Sequence, residues 1–113
     1  HQKASWRLNQ KRYSLFMSIE KITVENINDP GHTENVRADK YQDMRVALLK
    51  IMPVSAPGLP FSEIKEATKP HLSPDLFPKG KTSGWWAKCV QLDLEAKGLV
   101  ARTKATPLTF YKT

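Results

Sequence analysis

The chain has 113 residues, 40% hydrophobic and 26% charged, with a formal net charge of +7. That is enough for one compact domain and its core but short for two, and the balance is that of a folded, water-facing protein rather than a disordered one. It excludes a membrane-spanning helix, which needs ~20 consecutive apolar residues, and an intrachain disulfide, since Cys89 is the only cysteine; a lone thiol suits the reducing cytoplasm.

The charge is unevenly placed. Residues 1–16 hold Lys3, Arg7, Lys11 and Arg12 and no acid; residues 17–78 are net acidic by two; residues 79–113 hold seven bases against Asp93 and Glu95. A basic face is the electrostatic footprint of a polyanion, nucleic acid above all, and equally of a solvated surface with no partner. Residues 1–16 have little periodicity and precede Met17, which reads as a natural start. They form a basic N-terminal extension, possible as a helix over "ASWRLNQKRYSLF", with 17–113 as the single domain.

The body opens with "KITVENINDPGHTENVRA". Ile22, Val24, Ile27 and Val36 suit strands, and Asn28-Asp29-Pro30-Gly31 is a strong turn signal, so a β-hairpin is predicted over 20–27 and 33–38. In "DKYQDMRVALLKIMP" the period changes: Tyr41, Met44, Leu48 and Ile51 recur at helical spacing, with Asp39 as N-cap and Pro53 as the stop. Pro60 suits the first turn of a second helix, with Ile64 and Ala67 inward and Pro70 at its end. A long connection follows over 72–84, with Ser73-Pro74-Asp75 able to start one helical turn.

The last helix is predicted over 82–97, capped by Thr82 or Ser83. Advancing each residue by about 100° gives two apolar stripes, Trp86, Ala87, Val90 and Leu94 on one side and Trp85, Cys89, Leu92 and Ala96 nearly opposite. A helix with two stripes is sandwiched between layers. Lys88, Gln91 and Glu95 fill one polar arc between the stripes, with Lys81 extending it; Asp93 and Lys97 fall in the other gap. Gly98 fits the left-handed position of a Schellman closure, with Leu99 returning to Leu94. Strands over "LVARTK" and "LTFYK", about a turn at Lys104-Ala105-Thr106-Pro107, complete a second hairpin.

Hairpin, helix, helix, loop, helix, hairpin is the order of an α+β winged helix, a three-helix core with a C-terminal β-hairpin wing, here with an extra N-terminal β-hairpin. In that layout the third helix has the first two on one side and the wing on the other. "QLDLEAKGLVAR" resembles the helix-to-wing junction of winged-helix proteins, a match covering 39–113. "TVENINDPGHTENVRADKYQDMRVALLKIMP" and "GWWAKCVQLDLEAKGL" resemble a small bacterial family of unknown function, over most of the chain after Met17. That resemblance implies a winged-helix-like fold and brings no activity with it. The loop over 72–84 is longer than the tight turn of an ordinary helix-turn-helix, and it is expected where DNA would pass.

A recognition helix puts its early residues against base edges in the major groove. Lys81, Lys88 and Gln91 occupy the outward arc; lysine can donate to guanine O6/N7 and glutamine can pair with adenine N6/N7. Lys79, Arg102 and Lys104 are placed to hold phosphates. The same residues also read as an ordinary solvated surface. Trp85 and Trp86 can stack on bases, but adjacent aromatics on a two-sided helix are better read as core, Trp85 being the more exposed. No metal site is expected, because His32, His71 and Cys89 lack ligand spacing. Cys89 reads as a buried inert thiol, Asp93 and Glu95 face different ways, and "PKGKTSG" lacks the spacing of a phosphate loop. The expectation is therefore a cytoplasmic, non-enzymatic DNA-binding protein, regulatory in role, acting through helix 82–97 and wing 99–112 on double-stranded DNA without a cofactor. A protein-interaction or dimerisation module of the same fold is the alternative, suited by the acidic front, the extra hairpin and the long loop.

Overall fold

The apolar spacings of the sequence become a single buried cluster in the computed structural model of the chain, which describes residues 20–113; the basic extension, its helix and Met17 lie outside the described residues. Strands β1 (Lys21–Glu25) and β2 (Thr33–Arg37) pair antiparallel, Val24 opposite Glu34 and Ile22 opposite Val36. Helix α1 spans Ala38–Ile51 and buries Tyr41, Met44, Ala47 and Leu48. It starts two residues earlier than predicted, with Arg37 at the N-cap position and no side-chain cap. Asp39 instead sits inside the first turn, accepting from the Lys40 N–H at 2.7 Å and from the Arg37 guanidinium at 2.7 and 3.1 Å. Burial pulls its pKa upward, but those donors outweigh it and hold the carboxyl below its ordinary value. An acid there also complements the positive end of the helix dipole.

After Pro53 the chain makes a short strand that the sequence pattern does not reveal, β3 (Leu59–Pro60), and then α2 (Phe61–Thr68). Pro60 therefore lies just before the helix rather than in its first turn, extended at ψ 157° and paired with Thr109. Gly58, next to β3, has φ +81°, and a Cβ built on it would lie 2.0 Å from the Phe110 carbonyl oxygen. Only glycine lets β3 approach the C-terminal strand so closely.

The long connection is held down rather than loose. A 3₁₀ turn at Lys69–His71 follows α2, and a second at Pro78–Gly80 precedes the last helix. Between them the Ser73 N–H donates to Asp43 Oδ2 at 2.8 Å. Phe77 is buried in the core, edge-on to Trp86 with ring centroids 6.4 Å apart. The loop is thereby fastened to α1 and to the start of α3 (Ser83–Ala96), and it leaves Lys88 exposed.

Gly98 closes α3 as predicted. Its φ is +76°, Leu99 N–H donates to the Leu94 carbonyl at 2.9 Å, and Gly98 N–H donates to that of Glu95 at 3.1 Å. These are the two bonds of a Schellman closure. Strands β4 (Val100–Thr103) and β5 (Thr109–Lys112) follow, and the second sheet has the order β3-β5-β4, all antiparallel. The end of the chain is tied back to the end of α1, since Lys112 N–H donates to the Pro53 carbonyl and Lys112 Nζ to that of Leu49, both at 2.8 Å.

The described residues are thus α+β, with three helices and two small antiparallel sheets. Trp86, Ala87, Val90 and Leu94 are buried among residues of α1, α2 and both hairpins, as the first stripe requires. The second stripe meets a different neighbour from the one expected. Cys89 and Leu92 share a cleft with Val24 of the first hairpin, whereas the C-terminal hairpin reaches the polar arc of α3 through Arg102. The reason is Asp93, fully buried in the gap between the stripes. Its Oδ1 accepts the Glu25 N–H at 2.8 Å, its Oδ2 accepts the Tyr41 hydroxyl, and Lys97 pairs with it one turn on. A buried carboxyl needs such partners, and supplying them draws β1 against α3.

Replacing Tyr41 by Phe is expected to cost about 1.5–3 kcal/mol in urea unfolding, the range for a hydrogen bond to a charged group. Burial first, then the bond to Asp93, raises the Tyr41 pKa well above its ordinary value. The folded state therefore favours the neutral phenol, and its contribution is intact below the unfolded pKa of about 10 and lost at higher pH. The urea midpoint should fall as pH rises past about 10, and the Phe variant should lose that part of the fall. Gly58→Ala should destabilise by more than about 1 kcal/mol in the same assay, because the new methyl meets the Phe110 backbone at a positive-φ site.

Candidate functional site

Helix α3 has four sides. One lies on α1 and α2, one on β1, one meets β4, and the fourth carries Trp85 and Lys88. Trp85 is 55% exposed, more than a core reading allows, and touches Trp86 edge-on with centroids 5.0 Å apart. Trp86 is core, so the two neighbouring indoles divide between inside and outside. Lys88 is exposed, but its ammonium lies 4.3 Å from the centre of the Phe61 ring on α2. That cation–π contact holds the charge on the α2 side of the helix.

The proposed nucleic-acid residues divide. Lys79 and Lys81 are exposed on the approach to α3, and Lys104 is exposed in the turn of the C-terminal hairpin. Gln91 is not on the outward arc: it is fully buried, its Nε2 donating to Glu95 Oε2 at 3.2 Å while its Oε1 has no partner among the described residues. Arg102 is not free for phosphate either. It grips Glu95 through Nε to Oε1 at 2.5 Å and Nη2 to Oε2 at 3.1 Å, and it also lies over Phe110. One arrangement occupies both side chains. After the Gly98 turn β4 runs back along α3, and its guanidinium lands on the polar arc, where the two-pronged fit to a carboxylate holds it. That ion pair raises the Arg102 pKa.

A cleft of about 170 Å³ lies between the first hairpin and α3. Trp85, Lys88, Cys89 and Leu92 form its helical wall, and Val24, Glu25, His32 and Glu34 are among the residues that come from the hairpin. His32 Nε2 stands 3.5 Å from Glu34 Oε2, and both side chains are more than half exposed. Burial, aided by the negative charges of Asp93 and Glu34, pushes the Cys89 thiol up to about 11. Such a thiol is protonated at neutral pH, which makes it a wall and not a nucleophile. Among the described residues no three metal-ligating side chains converge, and no helix is long and apolar enough to cross a membrane. Sequence reasoning treated the hairpin as an addition and did not place Glu34 at a site. The signal was present in the strand period, since Glu34 stands two residues before the buried Val36 and so shares its face.

Among the described residues, three helices and two small antiparallel sheets make an α+β protein with a cleft beside an exposed tryptophan. The particular family follows from the sequence: a model of a family of unknown function, DUF6958, matches residues 21–110, from the first residue of β1 into β5, and the chain belongs to that family. No curated protein and no solved structure matches it significantly.

At pH 8 the native Cys89 thiol should react with iodoacetamide about two orders of magnitude more slowly than in the urea-unfolded chain, where its pKa returns to about 8.5. Mass spectrometry of timed samples measures this. Arg102→Ala should lower stability by about 2–4 kcal/mol, because it leaves the buried Glu95 charge with Gln91 but without its cationic partner; chemical denaturation reads the loss.

Proposed function

We propose that this is a winged-helix protein whose third helix and first hairpin bind another protein, acting as an interaction module and not as an enzyme. The order α1, β3, α2, α3, β4, β5, with β5 central in its sheet, supports the winged-helix reading. A fold does not fix a function, so the functional reading rests on the site. One observation carries it: the open side of α3 presents the exposed Trp85 indole over a small, partly apolar cleft whose opposite wall carries Glu25 and Glu34. Exposed aromatic anchors over small pockets are the usual centres of protein interfaces.

The surroundings of that helix favour the same reading. The hairpin beside the cleft carries Glu20, Glu25, Asp29 and Glu34 against Lys21 and Arg37. A net negative wall along the exposed helix opposes a phosphate backbone. With Gln91 buried and Arg102 paired, two of the six residues expected to contact DNA are spent inside the protein. The half-buried lone thiol suits a reducing, cytoplasmic setting.

Duplex binding keeps one specific support, the exposed Lys79, Lys81 and Lys104. With Lys88 they would make four phosphate contacts, and such binding should weaken by about two orders of magnitude between 50 and 200 mM salt. A mobility-shift titration against mixed duplex DNA at these two concentrations separates the readings. The expected result is no shift, or a weak one that disappears at the higher salt and is unchanged in Trp85→Ala. Sequence-selective binding that survives the higher salt and is lost in Lys88→Ala would reject the protein-binding reading. Size-exclusion with light scattering shows whether the partner is a second copy of the chain.

A further inference from the structure

One charge in the first hairpin faces an unusual way. Glu34 pairs directly with Val24, and directly opposed residues share a face of a hairpin. That face also carries Ile22 and Val36, and it packs on the core. Glu34 therefore projects from the inner face, where the hairpin overhangs α3 beyond the packed residues. Its charge reaches Cys89 on the helix opposite. Among the described residues no lysine or arginine is within ion-pair distance of it; its neighbour is His32 at 3.5 Å. Glu25, also at the cleft, is 4.0 Å from Lys97, which is already committed to Asp93. The basic group on the helical wall, Lys88, is held over Phe61.

Building on the protein-binding reading, we propose that this cleft receives the side chain of a lysine or arginine presented by the partner protein. The cation pairs with Glu34 and lies against the Trp85 indole, the aromatic that binds cations best. The aliphatic stem rests on Val24, Cys89 and Leu92, because long basic side chains bury their methylenes while the charged end stays near water. The volume agrees. At about 170 Å³ the cleft is smaller than the ~300–1,000 Å³ of small-molecule sites, and it has room for one side chain. An acidic side chain would meet Glu34 and Glu25 instead, which is a like-charge penalty that selects against it.

Selection of a random peptide library on the full chain, followed by fluorescence polarisation of the winners, tests this. The selected peptides should share a lysine or arginine whose replacement by glutamine abolishes binding. Their affinity should fall about tenfold in Glu34→Gln and in Trp85→Ala. Both positions are exposed, and the melting temperatures of the variants should match the parent. Glu34→Lys should lose these peptides and gain versions carrying glutamate at the anchor. Winners anchored by leucine, phenylalanine or an acid, sensitive to Trp85→Ala but not to Glu34→Gln, would overturn the cationic assignment and leave the interaction module standing. A selection in which no binder depends on Trp85 would overturn both.

Discussion

A carboxyl group with no access to water sets the arrangement of this protein. Asp93 holds the backbone of β1, the hydroxyl of Tyr41 on α1 and the ammonium of Lys97 on its own helix. An unmet buried polar group costs about 1–3 kcal/mol or more, so these partners are obligatory once the aspartate is inside. The bond to Glu25 matters most for the site. It fixes how far the hairpin can slide along α3, because Val24 beside it is already seated in the core. The overhang that carries His32 and Glu34, and with it the cleft, is a consequence of that one register.

On the far side of α3 a second polar group does the equivalent work. Glu95 gathers Gln91 from the preceding turn and Arg102 from β4, and the three close the arc that would otherwise face solvent. The C-terminal hairpin is thereby fastened to the helix that precedes it, while β5 joins it to β3 and to the end of α1. What this leaves open on α3 is narrow: an indole, a lysine leaning on Phe61, and the slot beside them. The chemistry of that strip is apolar and cationic on the helix and acidic on the hairpin.

Much of the fold was legible in residue spacing. Tyr41, Met44 and Leu48 on α1, Trp86, Val90 and Leu94 on α3, the Asn28–Gly31 turn and the closure at Gly98 all follow from local rules that act within a few residues. Other features needed partners remote in sequence. Leu59 and Pro60 make a strand only because Thr109 and Phe110 lie beside them, and no two-residue run announces itself. Phe77 sits in a loop by its neighbours but in the core by its packing against Trp86. Gln91 and Arg102 misled for the same reason: helical period gives the direction of a side chain but not what arrives to cover it.

The sequence by itself determined the order of elements, the apolar stripes and the uneven charge, because these depend on side-chain type, turn chemistry and periodicity over short stretches. Only the tertiary structure decided which hairpin covers the second stripe of α3, which charges are neutralised inside, and where an acid and a tryptophan meet across a gap. Those outcomes depend on contacts between residues far apart in the chain, such as Glu25 and Asp93, which stand 68 positions apart. Such a contact exists only after the helices have packed and desolvated one particular carboxyl, and no local pattern carries that information.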